Sequence, residues 1–191
     1  MAKDKAMLLS LALLLLSPAG ALDGDNVSVE KQDRAWIVRA TFDVDASADQ
    51  VRSVLTDFRN PERLNPAVTG REIIRRQPGL VRMSTEFRGC ALFFCKTMTL
   101  VQDVAVSDAS VRADVVPEGS DFRSGYLLWS IDAGRGGRTH VVLQATMEPD
   151  FFVPPLIGGL LVRRALKNQV HEIARNLSRE AALEPSLPAA E

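Results

Sequence analysis

The chain has 191 residues, 46% of them hydrophobic, with 23 Lys and Arg set against 24 Asp and Glu for a formal net charge of -1. That balance lacks the positive excess needed to hold a phosphate backbone, so a nucleic acid is not an expected partner. The length fits one domain with a real core, and no internal repeat or low-complexity tract divides it.

Lys3 and Lys5 precede an apolar run from Met7 to Leu16, and Ser17-Pro18-Ala19-Gly20-Ala21 ends in the small-x-small pattern of a signal-peptidase site. The run is roughly half the ~20 residues a membrane-spanning helix needs, so residues 1–21 read as a cleaved signal peptide rather than an anchor. No Arg-Arg pair precedes the run, and no cysteine near the site could carry a lipid. The expectation is Sec-type export, cleavage after Ala21 and a periplasmic protein of net charge -2, since two lysines and one aspartate leave with the peptide.

After a short polar lead-in, Trp36, Val38, Ala40, Phe42 and Val44 alternate with polar residues, the period of a strand with one buried face. Ser47-Ala48-Asp49-Gln50 has the form of a capping box, and Val51, Val54, Leu55 and Phe58 follow at helical spacing, which predicts a short helix ending near Asp57. Asn60-Pro61 and Asn65-Pro66 allow at most one further helical turn between them. From Gly70 to Met147, turn signals at Gln77-Pro78-Gly79, Pro117-Glu118-Gly119 and Gly134 to Gly137 separate six predicted strands, at about 70–76, 80–88, 94–105, 110–116, 123–132 and 138–148. Short turns between consecutive strands argue for an antiparallel meander, whose buried face needs a cover. The stretch from Pro154 to Ala182 is that cover: Leu156, Leu160, Val162, Leu166, Val170, Ile173 and Leu177 form one apolar face of a long helix. Residues 184–191 read as a disordered tail.

Cys90 and Cys95 bracket four residues between two predicted strands, and in an oxidising compartment a pair so placed is most simply a disulfide stapling a hairpin end. A redox pair would have tighter spacing, and zinc would need two further ligands that the sequence does not offer. His140 shares strand parity with Gln144 and Glu148, away from Val141, Leu143, Ala145 and Met147, and both His140 and His171 read as partly solvated. Arg82, Ser84, Glu86 and Arg88 read as one outer polar strand face. There is no Ser-His-Asp set, metal cluster or phosphate-binding glycine loop, so no catalytic residue, metal or cofactor is expected.

The order strand, short helix, broken turn, six strands, long helix is similar to the helix-grip fold of the START and polyketide-cyclase-like (SRPBCC) superfamily. Leu55-Thr56-Asp57-Phe58 with Asn65-Pro66-Ala67-Val68 resembles that superfamily's stretch after its first helix. Phe122 to Trp129, followed by Gly137-Arg138-Thr139-His140-Val141, resembles its penultimate hairpin, and the nearest branch is the coenzyme-Q-binding one. The resemblance covers about residues 30 to 180. It implies an α+β domain over residues 22–183, with an antiparallel sheet of about seven strands wrapped around the C-terminal helix.

The resemblance further implies a cavity for a lipid, quinone or other isoprenoid, lined by Phe42, Val81, Met83, Phe87, Met98, Leu128, Trp129, Leu143, Met147, Leu160 and Leu166. Taken singly, each of these side chains is more readily read as core filling than as ligand contact, and the resemblance shifts the weight only for the set. The competing reading is an aromatase/cyclase-type enzyme in which Tyr126, Arg123 or Arg82 orients a polyketide; a third is an interaction module with a filled core. The segment from Phe151 and Phe152 to Ile157, Gly158 and Gly159 is unusually apolar for a connection and is followed by Arg163 and Arg164. It either docks the helix start onto the sheet or forms a mobile portal that touches an anionic membrane transiently. The protein is expected to be a monomer.

Overall fold

The computed structural model describes residues 26–91, 94–152 and 159–185. Residues 1–21, read above as a signal peptide, Ile157, Gly158 and the tail from Ser186 lie outside them.

Strand β1 (Asn26–Gln32) pairs along its whole length with β2 (Ala35–Val44). In β2 every second residue, Trp36, Val38, Ala40, Phe42 and Val44, is buried, as the alternation requires. The β1 segment was expected to be a polar lead-in and is instead an edge strand. Only Val29 in it is fully buried, so its sequence carries little of the period that marks a strand.

The capping box starts α1 (Ala48–Leu55): the Gln50 N–H donates to Ser47 Oγ at 3.3 Å and the Ser47 N–H donates to Gln50 Oε1 at 2.9 Å. Val51, Val54 and Leu55 turn its apolar face inward. A single 3₁₀ turn, Pro61–Arg63, follows, with proline at the position where a missing N–H costs nothing.

The six predicted strands are all present. They are β3 (Val68–Gln77), β4 (Leu80–Ala91), β5 (Phe94–Val106), β6 (Ser110–Val115), β7 (Phe122–Ala133) and β8 (Thr139–Pro149). They meander antiparallel until β8 pairs with β2, giving one sheet of eight strands in the order β1-β2-β8-β7-β6-β5-β4-β3. The count is eight rather than about seven because of β1. The chain reaches the far edge of the sheet through α1 and the 3₁₀ turn. Near the start of β7 the register shifts between Phe122 and Ser124, and Gly125 stands at φ 150° with its Cα so close to β8 that a Cβ there would lie 2.3 Å from the Thr146 carbonyl oxygen. Only glycine permits that approach.

Helix α2 (Leu160–Leu183) is the cover. Within the described residues it runs from Leu160, with Gly159 at its N-cap and no side-chain cap there; the expected start near Pro154 lies outside the described residues. Its buried residues, Val170, Ala174, Asn176, Leu177, Glu180 and Ala181, all fall in the C-terminal part, and the helix packs with α1, β1, β2 and β4. The first turns sit more shallowly: Val162 and Leu166 pack half-buried against the core, and Leu160 is 79% exposed.

Candidate ligand cavity

The fully buried residues of α2 are confined to its C-terminal part, and a cavity of about 690 Å³ opens between the more shallowly seated rest of the helix and the strands. That volume lies within the range of small-molecule sites. The period of two points Met83, Thr85 and Phe87 of β4 into it, together with Met98, Leu100, Gln102 and Val104 of β5. Leu127 and Trp129 of β7 and Leu143, Ala145 and Met147 of β8 complete the sheet wall. The roof is Val162, Ala165, Leu166, Gln169, Val170 and Ile173 of α2, and Leu55, Phe58 and Leu64 close one side. Both tryptophans of the chain, Trp36 and Trp129, line the space.

Exposed residues also belong to the lining, among them Arg88, Cys90, Phe152, Asn168 and Glu172, so the cavity opens to solvent. At this rim Phe87 stacks on Phe122 at 6.0 Å, and Phe151 meets Phe122 edge-on at 6.2 Å. The Lys96 ammonium stands 4.8 Å from the Phe151 ring centre. Phe152 is 76% exposed. Cys90 and Cys95 face each other across β4 and β5 and form the expected disulfide.

Polar contacts hold α2 in place. Arg63, on the 3₁₀ turn, reaches Glu180 Oε2 with Nη2 at 2.7 Å and Nε at 2.9 Å, and Asp57 Oδ2 with Nη1 at 3.1 Å. Asn176 donates to the Leu64 carbonyl at 3.1 Å, and Gln169 donates to Asn65 Oδ1 at 3.3 Å. Glu184, counted in the sequence with the tail, accepts from Gln50 Nε2 through its carbonyl at 2.7 Å and from Ser53 Oγ at 3.1 Å. The Arg63 hydrogen bond, working against burial, holds the Glu180 carboxyl below the usual carboxylate range. Burial pushes Asp57 upward, but hydrogen bonds from Asn60, the Arg59 N–H and Arg63 outweigh it and leave that carboxyl lowered too. Asp57 belongs to the Leu55-Thr56-Asp57-Phe58 stretch that carries part of the resemblance, and its work here is to hold the turn that holds the helix.

Of the residues picked from sequence as ligand-lining, the structure brings Met83, Phe87, Met98, Trp129, Leu143, Met147 and Leu166 together around the cavity. Four others lie elsewhere. Phe42 belongs to the packed core, its ring edge-on to Trp129 at 6.4 Å. Val81 is buried outside the lining, one inward step nearer the β3–β4 turn. Leu128 stands on the outer face, since it neighbours inward-facing Trp129, and Leu127 takes the inward place. Leu160 is exposed at the first residue of α2. Of the proposed portal, Phe151 and Phe152 line the rim and Gly159 is exposed at the N-cap of α2.

The polar side chains considered for orienting a polyketide are on the outer face. Arg82 pairs with Asp103 at 2.6 Å, Arg123 pairs with Asp150, and Tyr126 lies 4.9 Å under the Arg112 guanidinium. His140 is exposed there as well, 2.8 Å from Asp43. The sequence reading passed over Gln102 and Thr85, both at least nine-tenths buried in the cavity wall. Strand parity was the signal that marks them: Met98, Leu100, Gln102 and Val104 alternate without interruption, so the amide must face the same way as the apolar side chains.

An antiparallel sheet wrapped on a C-terminal helix, with an apolar cavity between them, defines a helix-grip domain. The chain belongs to the family described as polyketide cyclase/dehydrase and lipid transport, whose profile matches residues 35–182, and with it to the START/SRPBCC superfamily. Among solved structures it is similar to a protein of Thermus thermophilus, at 22% identity and TM-score 0.63 over 78% of this chain and 99% of that one. It is similar to a STAR-related lipid transfer protein from Xanthomonas axonopodis, at 16% identity and TM-score 0.60 over 81% and 99%. An aromatase/cyclase from a Streptomyces species is similar too, at 16% identity and TM-score 0.56 over 77% and 91%. No curated protein sequence matches the chain.

Proposed function

We infer that this protein binds and carries a hydrophobic small molecule, of the lipid, quinone or other isoprenoid class, between the sheet and α2. The observation that carries this reading is the 690 Å³ cavity, whose wall is mostly apolar and which opens at an aromatic rim. The methionines in its wall, Met83, Met98 and Met147, suit a ligand that varies in shape. The placement of Arg82, Arg123 and Tyr126 on the outer face supports carriage over the aromatase/cyclase alternative. The coenzyme-Q-binding branch remains our choice among ligands on the sequence resemblance.

The carrier works as an exported monomer that takes up its ligand in the periplasm, a reading supported by the composition of residues 1–21 and by the Cys90–Cys95 disulfide. Its portal is the segment from Phe151 to Gly159, where exposed Phe152 and the nearby arginines Arg163 and Arg164 suit an anionic bilayer surface. Native mass spectrometry with lipid extraction, on protein recovered from the periplasm of its own host, tests the reading. A stoichiometric apolar adduct is expected. Protein that is recovered empty, and that stays empty when offered host lipids, would count against carriage.

A further inference from the structure

The inward face of β5 runs Met98, Leu100, Gln102, Val104, an apolar wall interrupted by one amide. Gln102 is 8% exposed, and its cross-strand neighbours are Met83 on β4 and Val115 on β6. Its Nε2 has no hydrogen-bond partner, and among the described residues it is the one buried side-chain nitrogen or oxygen left so. Buried amides are almost always paired, because leaving one unpaired forfeits its hydration without return. A donor kept in that condition on the wall of a cavity has its natural partner in whatever fills the cavity. Thr85 lies one diagonal step away, since it faces Leu100 while Gln102 faces Met83, and its hydroxyl stands on the same wall.

The charged groups of the lining lie apart from this point. Arg88 and Glu172 are exposed, Lys96 lies over Phe151, and Asp57 is bound by Arg63. The inner wall therefore offers a neutral donor in apolar surroundings and no counter-ion. We propose that Gln102 is the polar recognition residue of the cavity and that the ligand presents to it an uncharged carbonyl-type oxygen on an otherwise apolar body. A free carboxylate or phosphate at that end would be desolvated without a charge to meet it, so an anionic headgroup stays at the rim. This deepens the carrier reading and rests on it: the cavity selects a ketone, quinone or ester oxygen over a plain hydrocarbon.

The test uses 9-fluorenone and fluorene, which share a skeleton and differ in the carbonyl. Equilibrium dialysis of both against the whole protein and against Gln102→Leu gives two dissociation constants for each. The preference for fluorenone should fall about tenfold in the variant, the cost of one buried hydrogen bond. The infrared carbonyl band of bound fluorenone should lie at lower frequency in the native protein and move up in Gln102→Leu. The melting temperature of the empty variant should hold or rise, because removing an unpaired buried amide from an apolar wall relieves the folded state. Equal preference in both proteins with an unshifted band overturns the Gln102 assignment while leaving the cavity a binding site. So does a variant that melts lower with its preference unchanged, which makes Gln102 structural. Failure of both compounds to bind native protein takes down the carrier reading and this one together.

Discussion

Replacing Arg63 by Ala removes the guanidinium that ties the 3₁₀ turn to α2. Two of its hydrogen bonds go to Glu180 Oε2, at 2.7 and 2.9 Å, and one goes to Asp57 at 3.1 Å. Hydrogen bonds to charged groups contribute about 1.5–3 kcal/mol each. The Arg63 side chain is 36% exposed, so water replaces part of what is lost, and Glu180 keeps Arg179 at 3.0 Å. The net loss at neutral pH should be about 2 kcal/mol, which for a domain of this size lowers Tm by roughly 4–8 °C.

The pH dependence makes this test sharper. Both carboxyls titrate lower in the folded protein than in the unfolded chain, so their contribution is complete above the ordinary carboxylate range and is lost as pH falls through their native values. Chemical denaturation of native protein and Arg63→Ala at a series of pH values should therefore show a gap that is full near neutrality and closes in acid. A gap that is absent at neutral pH, or that persists unchanged once the carboxylates are protonated, would refute the role assigned to Arg63.

Replacing Cys90 and Cys95 together by Ser should lower stability by about 1–3 kcal/mol, as expected for a short closed loop, and leave ligand occupancy in native mass spectra unchanged. Non-reducing peptide maps of exported protein should contain the Cys90–Cys95 link, and two free thiols there would undercut the export reading as well. Leu100→Trp places a larger side chain into the void: in a filled core it would cost about 1–3 kcal/mol, but here chemical denaturation should register almost no change while bound ligand disappears from native mass spectra. Phe152→Glu, at a residue that is 76% exposed, should leave melting unaltered and slow ligand exchange with anionic vesicles. An unaltered exchange rate would remove the portal.

How much of this was legible in the chain depended on whether the deciding force was local. The alternation from Trp36 to Val44, the Ser47 capping box and the turn residues between strands are short-range signals, and each produced its element. β1 was hidden because an edge strand with one fully buried side chain owes its form to pairing with β2, which its own polar sequence does not announce. Leu127-Leu128-Trp129 is apolar at every position, so parity could not be read there and Leu128 was placed inward in place of Leu127. Phe42 and Leu143 are both inward-facing and buried, yet only Leu143 borders the void. What separates them is level along the sheet, since Phe42 pairs with Val141, which is itself outside the lining, and no period in the sequence encodes where along a strand the void ends.

The unequal seating of α2 divides the protein into regions that open at very different free energies. Its last turns are locked by Leu177, Ala181 and the Arg63–Glu180 pair, so separating them from the sheet amounts to global unfolding. Its first turns roof a void and carry no fully buried side chain before Val170, only half-buried ones such as Val162 and Leu166, so the loss of a turn there exposes less than unseating the last turns would. Fraying at that end is thus a sub-global event whose frequency is decoupled from the stability of the domain. On the carrier reading proposed above, such fraying would let cargo be traded many times within the lifetime of a single folded molecule, at a rate set by the first turns of one helix rather than by its locked end.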